Sequence, residues 1–157
     1  MKREMRRKNR EISRECAYNI IRDSEYGFLA TVSEDGSPYC IAVSHALVGN
    51  DIYFHSAKEG HKIDNMVGDN RVCFTAVGKT NIIPEQFTTE YESAVAFGKA
   101  EFVEEQEEKL SAILKICEKY TPEFMEKAAV YAQGEMDAMH ICKIKVEHIT
   151  GKALVEK

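Results

Sequence analysis

At 157 residues the chain suits one domain better than two, and a domain of that size buries roughly 70% of its unfolded surface without metal or disulfide staples. Nine Gly and three Pro exclude collagen-like and Pro-rich disordered classes, and no apolar run approaches the roughly 18 residues that cross a bilayer. The formal charge is −5, yet Lys2, Arg3, Arg6, Arg7, Lys8 and Arg10 face only Glu4 in the first ten residues, so the body is strongly acidic. An acidic body excludes a nucleic-acid-coating domain. The expectation is a cytoplasmic protein without nucleic-acid or membrane partners: residues 1–12 form a basic N-terminal arm and residues 13–157 one domain. Five cysteines without a CxxC pair fit neither a zinc ribbon nor a disulfide framework, and are read as buried, inert thiols. No metal site is expected.

In chain order, Ser13 is a candidate N-cap for a helix to about Asp23, with Cys16, Ala17, Ile20 and Ile21 spaced for an apolar stripe. Phe28–Ser33 and Tyr39–Val48 read as strands flanking an Asp35-Gly36 turn, because few residues other than Gly tolerate positive φ. Gly49–Asp51 turns into a strand at Ile52–His55, and a short helix follows from Gly60 to Val67 with Ile63, Met66 and Val67 on one face. Arg71–Val77 is the next strand, Gly78–Thr89 a loop, and Tyr91–Val103 a long strand. Gln106–Lys119 is amphipathic through Leu110, Ile113, Leu114 and Cys117; Pro122 starts another helix to about Gln133, and Met139–Ile149 is the last strand. Six strands joined mostly by hairpins, with small peripheral helices, predict a mainly β protein: a closed or split six-stranded antiparallel barrel. Ala94–Phe97 is apolar on both parities, so both its faces need cover, from a second subunit or from a helix of the same chain.

The stretch from Tyr53 to Met66 carries the most chemistry. Lys58, His61 and Lys62 crowd a helix start, where the helix dipole mildly repels cations. A bound anion resolves that conflict, since exposed N–H groups, the Ser56 hydroxyl and an ammonium make a phosphate cradle; a solvated surface loop is the alternative. Ser44 and His45 end an apolar strand and stand as a polar tip near His55. There is no P-loop spacing, no GxSxG elbow and no cysteine at an electropositive helix start.

With those residues in view, the chain resembles the pyridoxamine 5′-phosphate oxidase-like flavoproteins of the FMN-binding split-barrel fold, and within them the nitroimidazole-resistance group. The matching pieces are Met5–Lys8, Ile52–Lys62, Phe87–Thr89 with Ala96–Ala100, and Glu147–Lys152, which span nearly the whole chain in order. The resemblance implies a homodimer with FMN at the subunit interface. Lys62 with His61 would hold the FMN phosphate, helped by Ser56, and His55 would lie along the ribityl chain. Cys40, Ile41, Val43, Ser44 and His45 would line the isoalloxazine edge, Ser93 would approach from the other subunit, and Thr150 and Gly151 would lie near the partner's ring. The chain departs from the family where Ala42 replaces a frequent proline. It also lacks the oxidase's arginine-rich C-terminal substrate motif, so pyridoxamine phosphate is not the expected substrate.

The function implied is an FMN-dependent oxidoreductase acting on a small, nitro-aromatic type of acceptor, with His45 as candidate proton donor. The alternative is a flavin- or haem-binding protein without turnover of its own.

Overall fold

The computed structural model describes residues 4–154, so Lys2 and Arg3 of the basic arm lie outside the described residues. The segment after them is laid on the sheet: Glu11–Ile12 (β1) pairs with Lys152 and Gly151. Ser13 caps α1 (Arg14–Asp23), its side chain accepting from the Cys16 N–H at 3.1 Å. Gly27–Val32 (β2) and Pro38–Val43 (β3) form the expected hairpin, with Gly36 at φ 82° and Asp35 accepting from the Ser37 N–H. Then come β4 (Ala46–Val48), β5 (Asp51–Ser56), α2 (His61–Gly68), β6 (Arg71–Ile83), β7 (Thr88–Phe102), α3 (Gln106–Tyr120), α4 (Met125–Glu135) and β8 (His140–Leu154).

The sheet is antiparallel and has eight strands rather than six, in the order β3-β2-β6-β7-β8-β5-β4, with β1 added to β8. The single strand expected over residues 39–48 is broken at Ser44–His45. Its first half pairs with β2 at one end of the order, and its second half pairs with β5 at the other. Two residues span only a few ångströms, so the two ends of the sheet must lie close together. The sheet is therefore curled into a half-barrel, and the sequence break is its seam. The expected loop at residues 78–89 is instead a two-stranded extension of β6 and β7 around Pro84–Gln86, with Phe87 at φ 51°. Two bulges bend the long strands, one in β6 between Val77 and Thr80 and one in β8 opposite Phe97 and Gly98. Gly98 is obligatory there, because a Cβ would stand 2.1 Å from the Lys145 carbonyl oxygen.

The register separates two faces. One row runs Ile41–Leu29–Phe74–Ala96–Ile149 across five strands and belongs to the main core, which α1 closes with Ala17, Ile20 and Ile21. The next row, Cys40–Ala30–Cys73–Phe97–His148, points outward, as does Ala42–Phe28–Thr75–Val95–Thr150. A second core lies outside β5 and β8, where α3 and α4 cover Tyr53 and Ile141 with Ile113 and Ala132. The helices thus cover the outer face over β5 and β8 only. The outer face from β3 to β7 is bare, with Phe28 40% and Phe97 48% exposed.

Smaller expectations shift as well. Asn65 joins Ile63 and Met66 on the buried side of α2, whereas Val67 is 72% exposed. Cys16 and Cys40 are exposed, so the thiols are not uniformly buried. Cys142 is buried, and burial pushes its thiol up to about 12. Among the described residues, no helix is long and apolar enough to cross a membrane.

Candidate functional site

The chain places a helix start at one end of the gap between β3 and β5. Gly60, at φ 128°, turns the chain from β5 into α2 without a side-chain cap. Its carbonyl accepts from the N–H groups of Ile63 and Asp64, which leaves the amides of His61 and Lys62 as the open donors of the first turn. The helix is held in register by side chains from β2 and its turn. Asn65 donates to the Thr31 hydroxyl at 2.9 Å and to Ser33 at 3.3 Å, and Ser33 in turn lies 2.9 Å from His61 Nε2. The His61 ring lies tilted against Tyr39 of β3, with centroids 4.1 Å apart and planes inclined by 36°. Tyr39 and Ser33, which the sequence reading missed, therefore orient His61. The Asp35-Gly36 hairpin that delivers them was visible, but their contact with α2 was not.

Ser56 ends β5 just ahead of this helix. Its hydroxyl is buried and has no hydrogen-bond partner among the described residues, a state that costs about 1–3 kcal/mol if nothing satisfies it. Lys62 is half-buried, and its ammonium is close enough to oppose the upward shift of the buried Cys142 thiol. A hydroxyl, two amides, an imidazole and an ammonium are the groups that an anion cradle requires, and this stretch can serve as one. On the other side of His61, a depression of about 660 Å³ is lined by Glu34, Asp35 and Asp64. That side is acidic and unsuited to an anion.

The remaining candidates separate according to strand parity. Cys40 and Ser44 are exposed, while Ile41 and Val43 turn inward against the core, so only the backbone of those two can meet a ligand. His55 is exposed on the face of β5 opposite Ser56, and lines a small cavity with Ile113, Cys117 and Tyr131. It does not share the surface of the cradle. Ser93 and Thr150 are half-buried on the outer face, on neighbouring strands. Gly151 lies on an inner row, where an added Cβ would meet Ile12 at 2.6 Å and Ala17 at 2.8 Å, so its role is to admit β1 and α1. Cys40 on β3 and Ser93 on β7 are three strand spacings apart across the sheet, roughly 14 Å, and Ser93 lies four residues along β7 from Phe97, the residue in the row of Cys40. The candidates thus form two half-sites on one chain, too far apart to grip one small ring together.

His45 requires a correction as proton donor and as ring contact. It is fully buried at the seam of the barrel. Its Nε2–H donates to the Ile21 carbonyl at 2.6 Å, and its ring meets Phe74 edge-on at 4.8 Å. Its backbone N–H donates to the Tyr120 hydroxyl at 2.9 Å, which itself donates to the Glu25 carbonyl. Burial pulls the imidazole down to about 4; the Ile21 carbonyl acts against that, and the Lys119 ammonium adds to it. A neutral ring sealed in the core reaches no ligand on the outer face. The reason lies in the seam: the chain must pass from one sheet edge to the other, and His45 pins that crossing to α1 and α3.

A hollow of about 1090 Å³ lies away from the cradle, between α1 and the β6 bulge, with Tyr26, Phe28, Val77 and Glu92 on its walls. It adjoins the Ser93 half-site through the Val77–Ser93 pair.

Comparison with known proteins bears on the family and the fold. The sequence profile of a family described as pyridoxamine 5′-phosphate oxidase matches residues 13–153. No curated protein matches the chain. Among solved structures, a protein of Bacteroides thetaiotaomicron provisionally described as a 5-nitroimidazole antibiotic resistance protein is 26% identical, with a TM-score of 0.76 over 91% of this chain and 86% of that one. A conserved hypothetical protein of Mycobacterium tuberculosis is 20% identical, with a TM-score of 0.82 over 98% and 96%. A FAD and heme binding protein of Mycobacterium smegmatis is 15% identical, with a TM-score of 0.79 over 92% and 72%. The last two likenesses speak for the fold alone.

Proposed function

The chain belongs to the pyridoxamine 5′-phosphate oxidase family, and on that premise we propose that it is a homodimeric FMN-dependent oxidoreductase acting on a small acceptor of nitro-aromatic type. The observation that carries the flavin reading is the Ser56 hydroxyl, buried without a partner beside a helix start that also offers Lys62 and two open amides. These groups fit a phosphate. Lys62 neutralises it, the amides of His61 and Lys62 donate to it, and Ser56 gains the partner it lacks. When bound, FMN supplies the electron and hydride transfer.

The dimer reading is supported by the bare outer face and by the two separated half-sites. Two outward rows of mainly apolar side chains on one sheet form a surface of the kind that pairs with a copy of itself. A two-fold axis through that face lets Ser93 and Thr150 of one subunit complete the Cys40 and Lys62 half of the other. Excluding water there falls to Phe97, Val95 and Phe28.

The test is spectroscopic and hydrodynamic. Purified protein should take up one FMN per chain, sediment as a dimer, and reduce a nitro-aromatic acceptor with NAD(P)H. Val95→Asp places a carboxylate in the outer row and should cost several kcal/mol of association, so that FMN and dimer are lost together on dilution. A monomer that keeps stoichiometric FMN would overturn the arrangement.

A second reading, flavin or haem carriage without turnover, has the burial of His45 in its favour, since the one imidazole expected beside the ring is neutral and out of reach. A Soret band in place of flavin bands, or bound FMN that no donor reduces, decides for it.

A further inference from the structure

Arg10, the last cation of the basic opening segment, does not project into solvent. It is half-buried, and β1 behind it anchors it to β8 through the Glu11–Lys152 and Ile12–Gly151 pairs. Its guanidinium donates to the Tyr91 hydroxyl at 3.4 Å. The Lys152 ammonium stands 5.3 Å from the centre of the same ring. Together they hold the Tyr91 phenol below its ordinary range, the Lys152 ammonium contributing most.

Among the described residues, neither cation has a carboxylate within ion-pair distance. Glu11 stands opposite Lys152 in the register but makes no such pair. Glu90 accepts from the Asn81 amide at 2.9 Å and Glu92 from the Lys79 N–H at 3.5 Å, so both are directed elsewhere. Two like charges converging on one phenol repel each other, and a phenol offsets little of that cost. A charge-assisted bond to an oxyanion relieves it, with the Tyr91 hydroxyl as a further donor. The location also matters: Lys152 pairs directly with Ser93, and Tyr91 lies two residues from Ser93 along β7, so all three groups border the outer row of that half-site.

We propose that Arg10, Tyr91 and Lys152 form an oxyanion site that takes the carboxylate or phosphate of a small acceptor whose body lies on the outer face of β7 and β8. This names the substrate class of the proposed enzyme as anionic, and to that extent rests on the flavin reading. Binding itself does not require flavin. The site is distinct from the Ser56–Lys62 cradle, being built on the opposite half-site.

Phenyl phosphate, benzoate and neutral benzamide, titrated calorimetrically into the full-length protein as purified and again after saturation with FMN, test the assignment. One or both anions should bind while benzamide does not, and the preferred anion identifies the group recognised. Arg10→Met and Lys152→Met should each weaken that binding by roughly tenfold or more, with Arg10→Lys and Lys152→Arg recovering part of it. Circular dichroism melts should be unchanged, and Lys115→Met, which removes an exposed cation of α3, should leave the anion affinity intact. Failure of both anions to bind, equal binding of benzamide, indifference to both Met variants, or anion binding that Lys62→Met abolishes while Arg10→Met and Lys152→Met spare it, would overturn the site. FMN uptake is measured in the same samples, so a protein that binds anions at Arg10 and Lys152 but takes no FMN removes the flavin reading and leaves this one standing.

Discussion

The two ends of the gap between β3 and β5 each carry a histidine, and they have been put to opposite use. At the seam, His45 is dry and neutral, with its Nε2–H bonded to the Ile21 carbonyl and its backbone tied to Tyr120. At the helix end, His61 is exposed and tilted against Tyr39, and among the described residues the buried Ser56 hydroxyl has no hydrogen-bond partner and the Lys62 ammonium no ion pair. Although His45 Nδ1 has no partner among the described residues, its Nε2–H and backbone N–H are spent on the fold, whereas in the reading proposed above the donors at the helix end are left for an anion. A histidine at the tip of a strand is thus read correctly only when its environment is known, because the same side chain serves as a core pin or as part of an anion site.

The comparison predicts its largest effect at the seam. His45→Ala should lower folding stability by about 3 kcal/mol or more, through the cavity and the unpaired Ile21 carbonyl, with urea denaturation as the measure. Little change would make the seam as dispensable as the helix end.

Acid should act on the same residue. The folded-state value of His45, about 4, lies below its ordinary 6.5, so the unfolded chain takes the proton first. Its contribution is therefore complete above about pH 6.5 and lost as pH falls toward 4, amounting to no more than about 3 kcal/mol. His45→Leu should flatten that part of the stability–pH curve; an unchanged slope would assign it to other groups.

At the helix end the effects should fall on binding. Lys62→Ala should weaken FMN by about 1.5–3 kcal/mol and riboflavin much less, because only FMN carries the phosphate. Equal losses would place Lys62 at the ring or in the fold. The smallest effect has the sharpest sign. Ser56→Ala should weaken FMN severalfold yet raise the stability of the flavin-free protein by about 1 kcal/mol, since it removes a buried, unpaired hydroxyl. A loss of stability would mean that the hydroxyl serves the fold, as His45 does.

Much of this was legible in the sequence. Ser13 as an N-cap, the Asp35-Gly36 hairpin and the Gly60–Lys62 helix start are local, and local chemistry fixes them. Two errors arose where the sheet overrides local pattern. Tyr39–Val48 is a continuous β-prone run, and nothing within it announces that its halves join opposite edges of a curled sheet. Residues 78–89 look like a loop because Gly78 and Pro84 interrupt them, yet β6 and β7 pair across the whole stretch.

By itself, then, the sequence determined the mainly β class, the cationic helix start and the apolar character of Ala94–Phe97 on both parities, because each depends on residues within a turn or two of one another. The tertiary structure decided which face of each strand looks inward, and that parity assigned the candidates. It sent Ala96 to the core and Val95 to the bare face, Ser56 to the buried side of β5 and His55 to the other, and it sealed His45 at the seam. It also brought Arg10 to Tyr91, 81 residues away along the chain. The physical reason is the same throughout. Side chains alternate along a strand with a period of two, so a pattern shows that two faces exist, and only closure of the sheet shows which of them is inside.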